Sequence, residues 1–281
     1  MIDLHTHTAC SDGTDSPFAL VKKALAAGIT TLAITDHDTT AGWVEAVGAL
    51  QPQMELVLGA EISCLTEDGI SVHMLGLLFD GEDLQIQQLL ADSRDTRIPR
   101  MRKMVELLRA DGINVSIEDV YRATPEGATL GRPHLADALV SNGVVSSRDE
   151  AFENLLSNDS KYYVNHAAPT PVEAIRSICK AGGVAVIAHP FASRRGQTLS
   201  SSTFSELVEA GLHGIEVHHR DQSAREQETL TSIARELNLV ITGSSDYHGT
   251  GKLNGLAENT TDPAQWEQLE SLSNARRVVK K

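Results

Sequence analysis

The chemistry of this chain starts at two histidines separated by one residue, His5 and His7. In an extended segment residues two apart face the same way, so both imidazoles can reach one cation. Further donors follow at intervals. Asp12 lies in the next turn, His37 between Asp36 and Asp38, and Glu61 in Gly59-Ala60-Glu61-Ile62. His73 interrupts an apolar run, His189 stands in Ala188-His189-Pro190, and Asp246 and His248 come near the end. A catalytic ion takes about three or four protein ligands and keeps a position open. This set is larger than that and suits two or three divalent ions sharing a bridging carboxylate. Imidazole and carboxylate without thiolate favour Mn²⁺, Fe²⁺ or Zn²⁺ over Ca²⁺ or Mg²⁺ alone, without deciding among the three. A single strand histidine is usually a packed or surface residue. The weight comes from position, because nearly every member lies at or just past the end of a β-like run.

Those runs are residues 3–8, 31–35, 56–63, 71–79, 184–189, 214–219 and 239–244. Amphipathic stretches at 17–27, 171–181, 204–210 and 224–237 lie between them, and Gly28, Gly182 and Gly211 stand where helix C-caps are expected. Strands alternating with helices argue for an α/β fold, a closed or nearly closed parallel barrel with its chemistry at the carboxyl ends of the strands. The rhythm breaks between Pro99 and Asn165, where only helical patterns occur, at 100–110, 117–123, 134–141 and 148–156. The expected organisation is therefore barrel over residues 1–98, a small helical insert over the active site at 99–165, and barrel again over 166–281. Arg276 to Lys281 read as a frayed basic tail.

Composition narrows the partners. Lys and Arg number 24 against 38 Asp and Glu, a net charge of −14. Such a surface repels long polyanions, so long duplex nucleic acid is not an expected partner. A small phosphorylated ligand can still be held where cations and a few arginines reverse the local potential. No apolar stretch is long enough to span a bilayer. Met1-Ile2-Asp3-Leu4-His5 shows no basic segment followed by an apolar one, and the 3 cysteines, Cys10, Cys64 and Cys179, are scattered singly. The expected location is the cytoplasm. No oligomeric state is inferred.

Taken together, Asp3-Leu4-His5-Thr6-His7, Asp36-His37-Asp38, Glu61, His73, His189-Pro190 and Asp246-Tyr247-His248 resemble the PHP (polymerase and histidinol phosphatase) family of metal-dependent phosphoesterases. The resemblance spans the barrel and implies the family's distorted, amidohydrolase-like (β/α)7 barrel. By resemblance, His5, His7, Glu61 and Asp246 hold a first ion, and Glu61 bridges to a second on His73 and His189. Asp12, His37 and His248 hold a third. Glu61, Asp246 and His248 are the expected catalytic residues. Gly131-Arg132-Pro133-His134 and the pair Arg194-Arg195 resemble the bacterial subgroup that removes the 3′-phosphate of nucleoside 3′,5′-bisphosphates, some relatives of which trim short RNA from the 5′ end. Histidinol phosphatase is a less similar branch, and a non-catalytic module is disfavoured because no ligand is missing.

Phosphate-ester hydrolysis needs a nucleophile at neutral pH, charge neutralisation and in-line positioning. A hydroxide bridging two ions supplies the first, since metal lowers the pKa of water from ~16 to ~7. Arg132 and Arg194 can grip phosphate bidentately, and His134, Lys161 or one of Tyr162 and Tyr163 can complete a pocket for the second phosphate or the base, although a lysine at 161 is more often a solvated surface residue. His218 and His219 alternate faces, so one of them points into the barrel, where a packing role is expected.

Overall fold

A computed structural model describes residues 1–165, 167–193 and 196–281. Seven strands follow one another around a single sheet in chain order: β1 (Ile2–Asp3), β2 (Thr31–Ile34), β3 (Glu55–Leu65), β4 (Ser71–Leu77), β5 (Val184–Ala188), β6 (Gly214–His218) and β7 (Val240–Gly243). The chain just past β1 meets the chain just past β7 through a parallel bridge between Thr6 and Tyr247, with His7 N donating to the Tyr247 carbonyl at 2.8 Å. The sheet thus nearly closes into an α/β barrel. Helices α1 (Pro17–Ala26), α2 (Trp43–Ala49), α7 (Pro171–Lys180), α8 (Thr203–Ala210), α9 (Ala224–Glu236) and α10 (Pro263–Ser271) lie between and after the strands. Several begin where the sequence places a cap: Thr170 with Glu173, and Ser223 with Glu226, form reciprocal capping boxes. Gly211 ends α8 at φ 111°, a left-handed conformation that favours glycine.

The barrel is not wholly parallel, which corrects the expectation from the sequence. β4 runs antiparallel to both β3 and β5, while the other neighbouring pairs are parallel. Only residues 66–70 separate β3 from β4. A parallel return needs a crossover of about a dozen residues or more, so the chain must fold back as a hairpin. This reversal places His73. Near the amino end of its own strand, it pairs with Ser63 and Ala188, the late residues of β3 and β5, and so reaches the end of the barrel where their strands finish.

Alternation along the strands sorts side chains into two layers. Leu32, Ile34, Leu56, Leu58, Ile62, Met74, Ile187 and Ile215 face the helices, whereas Ala33, Val57, Leu75, Leu77, Val186 and Val240 plug the barrel interior. In β3 the parity that buries Val57 inside also carries Glu61 and Ser63 inward, above that plug.

The remaining helices are α3 (Leu84–Ala110), α4 (Ile117–Ala123), α5 (Arg132–Ser141) and α6 (Arg148–Ala151), the last continuing into a π-helical turn, Phe152–Leu156. α3 runs through Pro99 without a break, so the expected boundary at 98/99 falls inside one helix. Its first half sends Ile86 and Leu90 into the barrel's outer core. Its second half sends Met101, Met104, Val105 and Leu108 into a separate cluster shared with α4, α5 and Tyr162. The carboxyl end of the chain is docked rather than frayed. Val279 and Leu56 exchange backbone bonds of 2.8 and 3.0 Å, and Arg276 N reaches the Leu78 carbonyl at 3.1 Å. Among the described residues no helix is long and apolar enough to cross a membrane.

Candidate metal centre

At the end of the barrel reached by His73, donors from far apart in the chain converge. His5 Nε2 and His7 Nε2 stand 3.0 Å apart. Glu61 Oε2 is 3.3 and 3.1 Å from them, and Asp246 Oδ1 3.4 and 3.5 Å. Ligands about 2.0–2.1 Å from one ion in a tetrahedron lie about 3.3 Å from each other. These four atoms therefore have the spacing of an ion's corners. A second set joins His7, Asp12, His37 and His248, and a third His37, Glu61 and His73. All nine expected ligands come together. The allocation differs in detail, because His37 and His7 each belong to two sets and His189 sits with His5 and Glu216. His189 Nε2 is nonetheless 3.3 Å from Glu61 Oε1, the oxygen that His73 Nδ1 approaches to 2.8 Å.

Three buried ring nitrogens test whether ions fit. Among the described residues His37 Nδ1, His73 Nδ1 and His248 Nε2 make no hydrogen bond, although each lies 2.8–3.3 Å from a carboxylate oxygen. Buried polar atoms are costly to leave unsatisfied, and nitrogens aimed at carboxylates without hydrogen-bond angles suit coordination to a shared cation. The outer partners agree. His5 Nδ1 bonds Glu216 Oε1 at 3.0 Å and His248 Nδ1 bonds the Asp246 carbonyl at 2.8 Å. Each bond assigns the proton to Nδ1 and leaves an Nε2 lone pair facing the cluster. Without ions the set shares protons instead. Burial opposes charge on Glu61, but His73, His37 and His5 hold its carboxyl well below the usual range. Burial would lower His7, yet hydrogen bonds to Asp246 and Glu61 raise it to about 9. Burial and the neighbouring His7 and Lys252 push His248 down to about 4.

The sequence reading missed several supporting residues. Glu216 is fully buried and accepts the His189 backbone N–H at 2.9 Å with its second oxygen. That bond helps hold His189 at φ 30°, a left-handed value unusual for a side-chain residue. His219, not His218, points inward. A β-bulge between Glu216 and His218 shifts the face, leaving His218 exposed and His219 buried. His219 Nδ1 accepts from Asp221 N at 3.1 Å, so its Nε2 proton faces Asp246 Oδ2 at 3.3 Å, and Lys252 Nζ joins that oxygen at 2.9 Å. Asp38 binds Arg97 through Nε at 3.1 Å and also takes the Ser63 N–H at 2.8 Å, tying the His37 loop to α3 and β3.

A cavity of about 750 Å³ opens onto this cluster. Asp12, His37, His73, His189 and His248 line it, together with Arg97, Arg100 and Arg132. Arg132 stacks near Phe152 and Tyr163 and donates to Leu156 O at 2.8 Å and Asn158 Oδ1 at 2.7 Å. His134 does not border the cavity. It is 2 % exposed, and its Nδ1 accepts from Gly131 N at 3.0 Å. Lys161 is paired with exposed Asp111, also away from the cavity. Arg194 lies outside the described residues.

The model of the PHP domain family matches residues 3–167. A Chromobacterium violaceum protein named 3′,5′-nucleoside bisphosphate phosphatase is 31 % identical over 276 residues, 96 % of each chain. The Escherichia coli 5′-3′ exoribonuclease Rnm is 34 % identical over 253 residues, covering 88 % of this chain and 84 % of its own. A solved Bifidobacterium adolescentis structure, described by inference as a metal-dependent phosphoesterase, is 41 % identical with a TM-score of 0.92, covering 97 % of this chain and 96 % of that one. A barrel with one reversed strand, donors spaced for divalent ions and relatives matched along nearly the full length agree: the chain belongs to the PHP family and is a phosphoric-ester hydrolase.

Proposed function

We propose that the chain removes the 3′-phosphate from nucleoside 3′,5′-bisphosphates, and that nine residues hold its ions: His5, His7, Asp12, His37, Glu61, His73, His189, Asp246 and His248. The observation that carries the substrate is the arginine wall. Among the described residues Arg100 and Arg132 have no carboxylate within ion-pair distance, and burial with repulsion from Arg132 pushes Arg100 down to about 9. In a chain of net charge −14, unneutralised guanidinium beside a cation cluster is a place for a second anionic group on the substrate. The Chromobacterium relative's name supports the same reading.

Ions bound there, Mn²⁺ first, would supply Lewis acidity, bringing the pKa of a coordinated water towards ~7 and offsetting charge on phosphoryl oxygens. The chain's own share is positioning. Glu216 orients His5, and His219 and Lys252 fix one oxygen of Asp246 so that the other faces His5 and His7. Arg100 and Arg132 set the far end of the substrate so that the ester phosphate lies over the cluster. On this reading the segment 99–165, which carries Arg100 and Arg132, lies over that site.

The test is phosphate release from adenosine 3′,5′-bisphosphate by Mn²⁺-loaded protein, with the 5′-monophosphate as product. No phosphate with any divalent metal sinks the proposal. A second reading, 5′-to-3′ removal of nucleotides from short RNA, draws on cavity size. The cavity lies in the upper half of the ~300–1,000 Å³ range of small-molecule sites, and the Escherichia coli relative is named for that activity. Mononucleotides released from a short oligomer would favour it.

A further inference from the structure

The Asp12 loop, residues 9–14, lies between β1 and α1 and belongs to neither. Its own bonds use its donors: Ser11 N and Gly13 N both reach the Thr8 carbonyl, at 3.1 and 3.0 Å, and Ser11 Oγ reaches Asp36 at 2.6 Å. Its carbonyls are held from elsewhere. Thr129 N donates to Cys10 O at 2.9 Å. The His134 ring lies beside the Ser11 backbone. Because Nδ1 already accepts from Gly131 N, the proton of the neutral ring is on Nε2. Arg148 Nη1 donates to Asp12 O at 3.1 Å. Two of the loop's carbonyls thus receive donors, from the turn before α5 and from α6, with the His134 ring of α5 beside the residue between them.

Arg148 is itself fixed. Its Nε and Nη2 each lie 2.5 Å from an oxygen of Asp137 on α5. It also lies against the turn after His248, where a Cβ at Gly251 would collide with Nη1. One guanidinium therefore abuts the segments that carry Asp12 and His248, two members of the His7, Asp12, His37, His248 set.

We propose that the helical segment is a positioning clamp for this one cation subsite, acting through His134 and Arg148, and that losing either empties it while the His5, His7, Glu61, Asp246 subsite stays filled. The proposal rests on the reading that these sets hold ions. His134 does not border the cavity, and Arg148, which does, has its guanidinium bound to Asp137 and to Asp12 O, so both are positioning residues acting through the loop.

The experiment equilibrates full-length protein with Mn²⁺ at fixed free concentration and counts ions per chain by elemental analysis, with anomalous scattering in crystals to locate them. His134→Ala and Arg148→Met should each bind one ion fewer than the unaltered chain, with the weakest site's Kd raised at least tenfold and the others unchanged. His134→Gln, which keeps a polar side chain of similar reach against the loop, should restore the count. Where Arg148→Met does not fold by circular dichroism, Asp137→Asn, which loosens Arg148 without removing it, is read in its place. Full occupancy with unchanged Kd in folded His134→Ala and Arg148 or Asp137 variants overturns the clamp, and so does equal weakening of every site. An unaltered chain that holds no Mn²⁺ overturns the underlying reading instead, which separates the two failures.

Discussion

Replacing Glu216 by Gln is a sharp test of how the first ion set is built. Both carboxylate oxygens act as acceptors, one for His5 Nδ1 at 3.0 Å and one for His189 N at 2.9 Å, in a place with no solvent access. A glutamine side chain offers one oxygen. If its NH₂ turns towards His5, the ring must move its proton to Nε2, the atom that stands 3.3 Å from Glu61 and 3.4 Å from Asp246, and the lone pair for the ion is lost. If it turns towards His189, two N–H groups oppose each other and a buried donor goes unsatisfied. Either arrangement costs about 1–3 kcal/mol, or about 10- to 100-fold in affinity for the ion, the range usual when an outer-shell partner of a ligating His is changed. Competition of Mn²⁺ between protein and a chelating dye would read the Kd, and activity against free Mn²⁺ should show kcat recovering at high metal with the midpoint displaced. A folded Glu216→Gln protein with unchanged Kd would refute the reasoning.

Other substitutions probe different parts. Glu61→Ala removes the one carboxylate that approaches His5, His7, His37, His73 and His189. Turnover should fall below detection while circular dichroism stays native, and retained activity would contradict its bridging place. Arg132→Ala should raise KM about 10- to 100-fold with kcat largely kept, since a charged hydrogen bond contributes about 1.5–3 kcal/mol; steady-state kinetics on the bisphosphate and on a simple monoester would show it. The ion-free protein should lose stability from pH 6.5 to 9. His7 is raised from 6.5 to about 9, so its contribution is full below 6.5 and lost as pH rises through about 9. Thermal melts in chelator should fall over that window, and Mn²⁺ should flatten the trend because the ion replaces the proton.

Much of the site was legible because strand parity and strand ends are written in the sequence. His5 and His7 share a face by spacing alone, and Glu61 follows a glycine and an alanine at the end of a buried run. What the sequence hid came from geometry without a local signal. Glu216 sits within Gly-Ile-Glu-Val-His, where a buried acid on the inward parity needs a partner; that demand was readable, its partner was not. The choice between His218 and His219 turned on a one-residue bulge. Nothing beside Arg148 or Arg97 in the sequence marks them, because their partners Asp137, Asp12 and Asp38 meet them through tertiary packing. The reversed strand was readable in hindsight, from the five-residue link between two runs.

That reversed strand has a consequence for how such proteins can diversify. In an ordinary β/α repeat each strand climbs to the working end and its helix descends, so anything added at the top must be spliced into a tight strand-to-helix loop. Here β4 descends, and the next helix starts at the foot of the barrel, where Asp80 N meets the Ala181 carbonyl at 2.8 Å. α3 must ascend, and its 27 residues extend about 40 Å, beyond the rim. The chain arrives above the ions already helical and returns through α7. One short turn has created a doorway at which chain of any length can be exchanged, leaving the cation-binding strands below untouched.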